Sequence, residues 1–306
     1  MPAPAHHPRN RHQGHYDLPA LTRVCPGLAP FIRSNPAGEP TIDFADPTAV
    51  RLLNQALLQL QYGIAGWTIP DGYLCPPVPG RADYLHYLAD LLSADRATSL
   101  PFGPATRILD IGVGANCIYP LLGATEYGWR FVGSEIDPVA LASAQRNVAA
   151  QPSLTHRIEL RRQTNPSSIF AGVVRPGETF AASVCNPPFH VSAAAAAAGT
   201  QRKLRHLAGT RPTSAPPARN FGGRSHELWC RGGEVAFIRR MIAESAARPQ
   251  LCGWFTTLVS QRDSLPPLRR ALASVHPAEI RTIDLAHGQK KTRILAWRFH
   301  SAQPWD

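Results

Sequence analysis

No run in this sequence approaches the roughly 18 consecutive apolar residues that a membrane-spanning helix needs, so no membrane partner is expected. The first residues are basic, but no apolar stretch follows them, and no secretory leader is expected. The six cysteines, at 25, 75, 117, 185, 230 and 252, include no C-x-x-C pair. Zinc and other metals are therefore not expected, and the thiols read as reduced in a cytoplasmic protein. Lysine is scarce: of 32 basic residues only Lys203, Lys290 and Lys291 are lysine. A G-x-G-x-x-G fingerprint is also missing, because position 117 is Cys, so a dinucleotide pyrophosphate is not indicated.

What is present is a 306-residue chain with 44% hydrophobic residues, enough for one large or two small soluble domains. Its formal net charge of +11 points to a polyanionic partner. Arginine grips phosphate bidentately and stacks on bases. A GC-rich genome would give the same arginine-to-lysine ratio, but it would not give the excess of positive over negative charge.

Two motifs carry chemistry. The first is Arg107-Ile-Leu-Asp110-Ile-Gly112-Val-Gly114-Ala-Asn-Cys117. Ile108, Leu109 and Ile111 read as a strand, and glycines at its end let backbone approach a ligand closely. A second strand, Trp129 to Gly133, leads to Glu135, about 20 residues on, where an acidic side chain suits ribose hydroxyls. A helix over 138–149 follows, with Pro at its start. The second motif is Asn186-Pro187-Pro188-Phe189, after the apolar strand 180–184. Two prolines force an extended turn. Adenine N6 is a poor nucleophile because its lone pair is delocalised into the ring. The Asn186 side-chain oxygen and the Pro187 carbonyl could each accept one N6 hydrogen, localising that pair toward an electrophilic methyl group. Phe189 could stack on a flipped base. A proline-rich turn closing a core strand is the bland alternative. The order of the two motifs favours an S-adenosylmethionine (AdoMet) site with an acceptor pocket for an amino group.

The stretch Asp110 to Trp129 closely resembles the bacterial 23S rRNA adenine N6-methyltransferases of the RlmF type and is similar to the methyltransferase-like 16 RNA enzymes. The resemblance extends through His7 to Arg11, Pro70 to Tyr84, Asn186 to His190, Phe221 to Gly223, Glu227 to Val235 and Gly288 to Arg293. It implies a Rossmann-like class I AdoMet-dependent methyltransferase fold of the α/β class, with a mainly helical N-terminal extension. It implies methyl transfer from AdoMet to adenine N6, with 23S rRNA or a large-subunit assembly intermediate as partner. It also places Arg81 where the methionine carboxylate of the cofactor is held, a role suited to bidentate pairing. Asp110, Gly112, Gly114, Glu135, Gln163 and Asn186 complete the expected cofactor set. Arg9, Arg11, Lys290, Lys291 and Arg293 are the expected RNA contacts.

Along the chain, residues 1–16 read as a basic RNA-binding arm with no sizeable apolar anchor, whose loss should spare cofactor affinity; an inert disordered terminus is the alternative. Residues 17–100 read as mainly helical, with helices over 49–60 and 82–92 and Arg81 at the start of the second. The methyltransferase domain is expected over 101–306. Ile158 to Arg161 reads as a third strand with Gln163 at its end, 234–244 as a helix, and 251–259 and 293–299 as late strands. Residues 193–220 read as a mobile insertion, either a lid, an RNA contact or an inert loop. Gly112, Glu135, Gln163 and Asn186 all fall at strand ends, where open α/β sheets bind ligands. A monomer is expected. Three rival functions share parts of this pattern. N5-methylation of a protein glutamine meets the same nucleophilicity problem, but relatives of that kind carry Tyr where Phe189 stands. The others are a catalytically inactive RNA-binding fold and a DNA adenine methyltransferase.

Overall fold

The computed structural model describes residues 6–94, 100–189, 230–287 and 290–300. A central seven-stranded sheet organises them, in the order β5-β4-β3-β6-β7-β9-β8. The strands are β3 Arg107–Ile111, β4 Arg130–Glu135, β5 Ile158–Arg162, β6 Phe180–Cys185, β7 Cys252–Val259, β8 Glu279–His287 and β9 Lys290–Arg298. The first five run parallel, and β9 is antiparallel to both neighbours. This is the Rossmann-like methyltransferase architecture. Strand order reverses between β3 and β6, which pair directly, with Ile111 beside Cys185. That switch point is where a parallel sheet opens a crevice at its carboxyl edge.

Strand residues alternate between two buried faces. Ile108 joins one apolar cluster with Leu85, Leu121 and Val148, while Leu109 and Ile111 join another with Phe170, Ile238, Phe255 and Leu268. The helices covering the first face are α3 Val78–Ala94, α4 Ile118–Tyr127 and α5 Pro138–Ala149; those covering the second are α6 Gly233–Ala247 and α7 Leu265–Ala273. Helix α5 starts where sequence places it, because Asp137 accepts the Val139 N–H at 2.8 Å and Pro138 fills the first turn. Among the described residues no helix is long and apolar enough to cross a membrane.

The N-terminal region contains α1 Leu18–Val24, a small hairpin of β1 Ile32–Ser34 and β2 Pro40–Ile42, α2 Pro47–Tyr62, and α3. It has no core of its own. Leu21, Leu57 and Leu88 share one cluster with Ile108, Leu122 and Trp254, so the region completes the first face of the sheet.

Several expectations are corrected. Helix α3 begins at Val78, so Arg81 lies inside its first turn, not ahead of it. Strand β4 starts after Trp129, a buried residue whose indole N–H donates to the Pro101 carbonyl at 2.5 Å. Strand β8, helix α7 and the β1–β2 hairpin are additional.

The arm departs from expectation in its packing. Residues 6–16 do not stand apart from the body: His7, Asn10 and His12 are buried. Arg9 pairs with Asp90 at 2.6 Å and donates to the His86 carbonyl and the Tyr127 hydroxyl. Arg11 pairs with Glu126 at 2.8 Å and donates to the Gln61 carbonyl. Both guanidinium groups proposed as phosphate contacts thus tie the arm down. The physical reason is partner distance in sequence: the acids that hold the arm lie on α3 and α4. The 193–220 insertion lies outside the described residues.

Candidate active site

The carboxyl ends of β3, β4, β5 and β6 border one open cavity of about 280 Å³. Its lining includes Arg81, Gly112, Gly114, Glu135, Gln163, Asn186 and Pro188. Seven residues singled out from sequence therefore meet in one place. Asp110 lies just beneath as a buried residue of β3. Pro187 is buried and Phe189 half-buried; neither borders the cavity.

The glycine loop is shaped by β4. Gly112 and Val113 both donate backbone N–H groups to the Ser134 carbonyl, at 3.0 and 2.9 Å. Gly112 adopts φ 74°, which glycine reaches without steric penalty. A Cβ there would meet no protein atom within 4 Å. Packing does not demand this glycine; its φ and the space beside it do.

Glu135 braces the loop from the next strand. One carboxylate oxygen accepts the Gly114 N–H at 2.8 Å; the other accepts Ile136 and Asp137 at 2.8 and 3.0 Å. Burial raises its pKa, and those three donors oppose the rise. Oε1 is filled by its two donors, and Oε2 keeps one acceptor site on a cavity-lining side chain, where it can take a ribose hydroxyl.

Gln163 is held at both ends. Its amide nitrogen donates to the Ala171 carbonyl at 2.9 Å and its oxygen accepts the Asn165 N–H at 2.9 Å. Glu244, from α6, accepts the backbone N–H groups of Ile169 and Phe170 at 2.7 and 2.9 Å. These bonds fix the loop that brings Pro166, Ser168 and Ile169 to the cavity wall.

Three groups contrast with that pairing. Both carboxyl oxygens of Asp110 are buried and lack any hydrogen-bond partner. Burial pushes its pKa well above the usual carboxylate range; Glu135 adds to the rise and Arg81 opposes it. The Asn186 side-chain oxygen is likewise buried without a partner. Arg81 is buried and donates to the Tyr119 hydroxyl at 2.9 Å, but it faces no carboxylate within ion-pair distance among the described residues. Buried polar groups are normally paired, so such orphans mark places where a ligand completes the bonding. A cation would match Asp110, an anionic carboxylate Arg81, and an N–H donor Asn186.

Sequence reasoning missed part of the wall. Tyr119, Asn116, Ser134, Phe237 and Arg240 border the cavity. Tyr119 and Asn116 fall within the glycine-motif segment, which was the available signal. Phe237 and Arg240 arrive on α6, far along the chain, with no local mark of that placement. The remaining RNA candidates lie on the late hairpin. Arg293 pairs with Asp284 across it at 3.1 Å. Lys290 and Lys291 sit in β9 opposite His287 and Ala286.

Comparison with known proteins agrees with this geometry. Residues 2–301 match the family described as RNA methyltransferase. Ribosomal RNA large subunit methyltransferase F of Serratia proteamaculans is 52% identical over 97% of this chain and 88% of its own. The protein of the same name from Enterobacter sp. strain 638 is 54% identical over 97% and 95%. Among solved structures, the hMettl16 catalytic domain in complex with a MAT2A 3′UTR hairpin superposes with a TM-score of 0.80 at 28% identity, covering 97% of this chain and 96% of that one. The N-terminal domain of human METTL16 in complex with SAH gives 0.76 at 26% identity, covering 97% and 100%. On this combination of fold, site and similarity, the chain belongs to the ribosomal RNA large subunit methyltransferase F family of RNA methyltransferases.

Proposed function

We propose that this protein transfers a methyl group from AdoMet to the N6 amino group of one adenine in 23S rRNA, acting in the cytoplasm as a monomer on the rRNA or on a large-subunit assembly intermediate. The observation that carries the reading is the unpartnered Asn186 oxygen beside the glycine loop, across the switch point of the sheet.

The cavity residues fit the cofactor group by group. Arg81 suits its carboxylate and Glu135 its ribose hydroxyls; Gln163 lines the wall beyond, and Asp110, buried just beneath the wall, carries unpartnered acceptors suited to an ammonium group. When bound, AdoMet supplies an electrophilic methyl group. The chain supplies orientation and acceptors. The Asn186 oxygen, on the cavity wall, takes one amino hydrogen and so draws the nitrogen lone pair out of the ring; Pro187 and Phe189, away from the wall, shape the turn that holds it. Proline at 188 removes an N–H that would otherwise compete within the turn. No general base is required, because the methylated nitrogen is acidic and loses its proton afterwards. Held geometry and fixed acceptors account for much of the rate gain in such a reaction.

Membership of an RNA methyltransferase family and the net charge of +11 support a nucleic-acid substrate over a protein glutamine. Mass mapping of 23S rRNA from a strain lacking the gene tests the assignment. Loss of a single N6-methyladenosine is the expected result; an unchanged 23S methylation map would contradict it.

A further inference from the structure

The buried arm reaches the cofactor cavity through one helical turn. Asn10 is 2% exposed and Asp83 is 1% exposed. The Asn10 side-chain nitrogen donates to the Pro79 carbonyl at 2.9 Å and to Asp83 Oδ1 at 2.5 Å. The His7 backbone N–H donates to the same Asp83 oxygen at 2.9 Å, and the His6 ring lies 2.7 Å from Oδ2. Asn10 is itself fixed, since its oxygen accepts the His12 N–H at 2.9 Å and its own N–H donates to the His7 carbonyl at 2.7 Å.

Pro79 and Asp83 stand four apart in α3 and therefore share a face. Arg81 stands two from each, rotated by about 200° at the helical period. The arm thus grips one side of the first turn while Arg81 borders the cavity on the other. The Asn10 amide donates to acceptors at both ends of the 79–83 segment, so it cross-links that turn to the arm. Here a buried side chain from residue 10 bridges the turn.

We infer that Asn10, acting through the Pro79–Asp83 turn, positions the Arg81 guanidinium for the carboxylate of the cofactor. Asn10 is a positioning residue, and the arm that resembles a nucleic-acid contact is also part of the cofactor site. This inference rests on the reading of Arg81 as the carboxylate clamp.

The test uses the full chain, isothermal titration and two ligands: AdoMet, and 5′-methylthioadenosine, which keeps the adenosine and thioether but lacks the amino-acid end. Arg81→Ala, measured first, should weaken AdoMet and spare 5′-methylthioadenosine. Asn10→Ala should weaken AdoMet roughly tenfold, the scale of a lost hydrogen bond to a charged group, with 5′-methylthioadenosine within about twofold. In the Arg81→Ala background, Asn10→Ala should add less than about twofold, because coupled residues are not additive. Asn10→Ser has one hydrogen to donate in place of two and should give a smaller loss with the same selectivity; it also serves if the alanine variant fails to fold. Equal loss for both ligands, full additivity with Arg81→Ala, or unchanged AdoMet affinity overturns the inference. If Arg81→Ala itself leaves AdoMet affinity unchanged, the carboxylate reading falls and this inference falls with it.

Discussion

The two sides of the switch point treat their polar atoms in opposite ways. On the β4 and β5 side, Glu135 and Gln163 are held by the fold: Glu135 accepts three backbone N–H groups, and Gln163 is bonded at both ends of its amide. At β3 and β6, the Asp110 carboxyl and the Asn186 oxygen are buried with no partner. Paired groups build the shape of the cavity and contribute to stability whether or not a ligand is bound. Orphaned groups cost stability in the free protein and regain it only on binding. At the switch point, the unfinished bonding coincides with the residues assigned to ligand and acceptor.

Removing an orphan should therefore affect chemistry more than stability. Asn186→Ala should lower methyl transfer by roughly 10²–10³-fold or more, the scale of a lost oxyanion-type contact. AdoMet affinity and the melting temperature should stay close to wild type. A tritium-transfer assay beside isothermal titration measures both, and wild-type turnover would remove Asn186 from the acceptor role.

Removing a paired group should affect both. Glu135→Ala should weaken AdoMet by roughly 1.5–3 kcal/mol and lower the denaturation midpoint as well, because three backbone donors lose their acceptor. A variant with normal stability and reduced affinity would place Glu135 with the orphans.

Asp110 gives the comparison a pH signature. Burial raises its folded pKa above the unfolded value, so its contribution to stability is fully present below the unfolded pKa and is lost as pH rises through the folded one. Asp110→Asn should then stabilise the ligand-free protein at pH 8 by roughly 0.5–2 kcal/mol, with little gain at pH 4, while weakening AdoMet. Urea midpoints at the two pH values decide it; destabilisation at pH 8 would mean that the carboxylate already has a partner.

Gln163→Ala is the mildest case. It should cost about 1 kcal/mol of stability through two lost hydrogen bonds to the 165–171 loop, with AdoMet affinity reduced only a few-fold. A loss of affinity as large as that for Glu135→Ala would show direct ligand recognition.

Local features of the sequence carried much of the site. Asp110, Gly112, Glu135 and Asn186 are recognisable because each ends an apolar strand, and strand ends in a parallel sheet share one edge. Helix α5 is legible from its Pro138 start; the Asp137 cap is seen in the structure. What was hidden depends on distant partners. The arm's basic residues look solvated in sequence, yet Arg9 meets Asp90, 81 positions away, and Tyr127, 118 positions away. Strand β8 is hard to read because its sequence, Glu-Ile-Arg-Thr-Ile-Asp-Leu-Ala-His, breaks the apolar–polar alternation that marks a half-buried strand. The start of α3 was misplaced because prolines at 76, 77 and 79 read as extended chain, although the first turn of a helix tolerates proline.

The most direct test of the central claim supplies trideuteromethyl AdoMet to the purified protein with unmodified 23S rRNA, followed by mass spectrometry of the nucleosides. The account predicts one N6-trideuteromethyladenosine per rRNA chain with wild-type protein and, over the same short reaction time, labelling lower by roughly 10²-fold or more with Asn186→Ala, although that variant still binds AdoMet. Label at any other atom, or equal labelling by the variant, would contradict it.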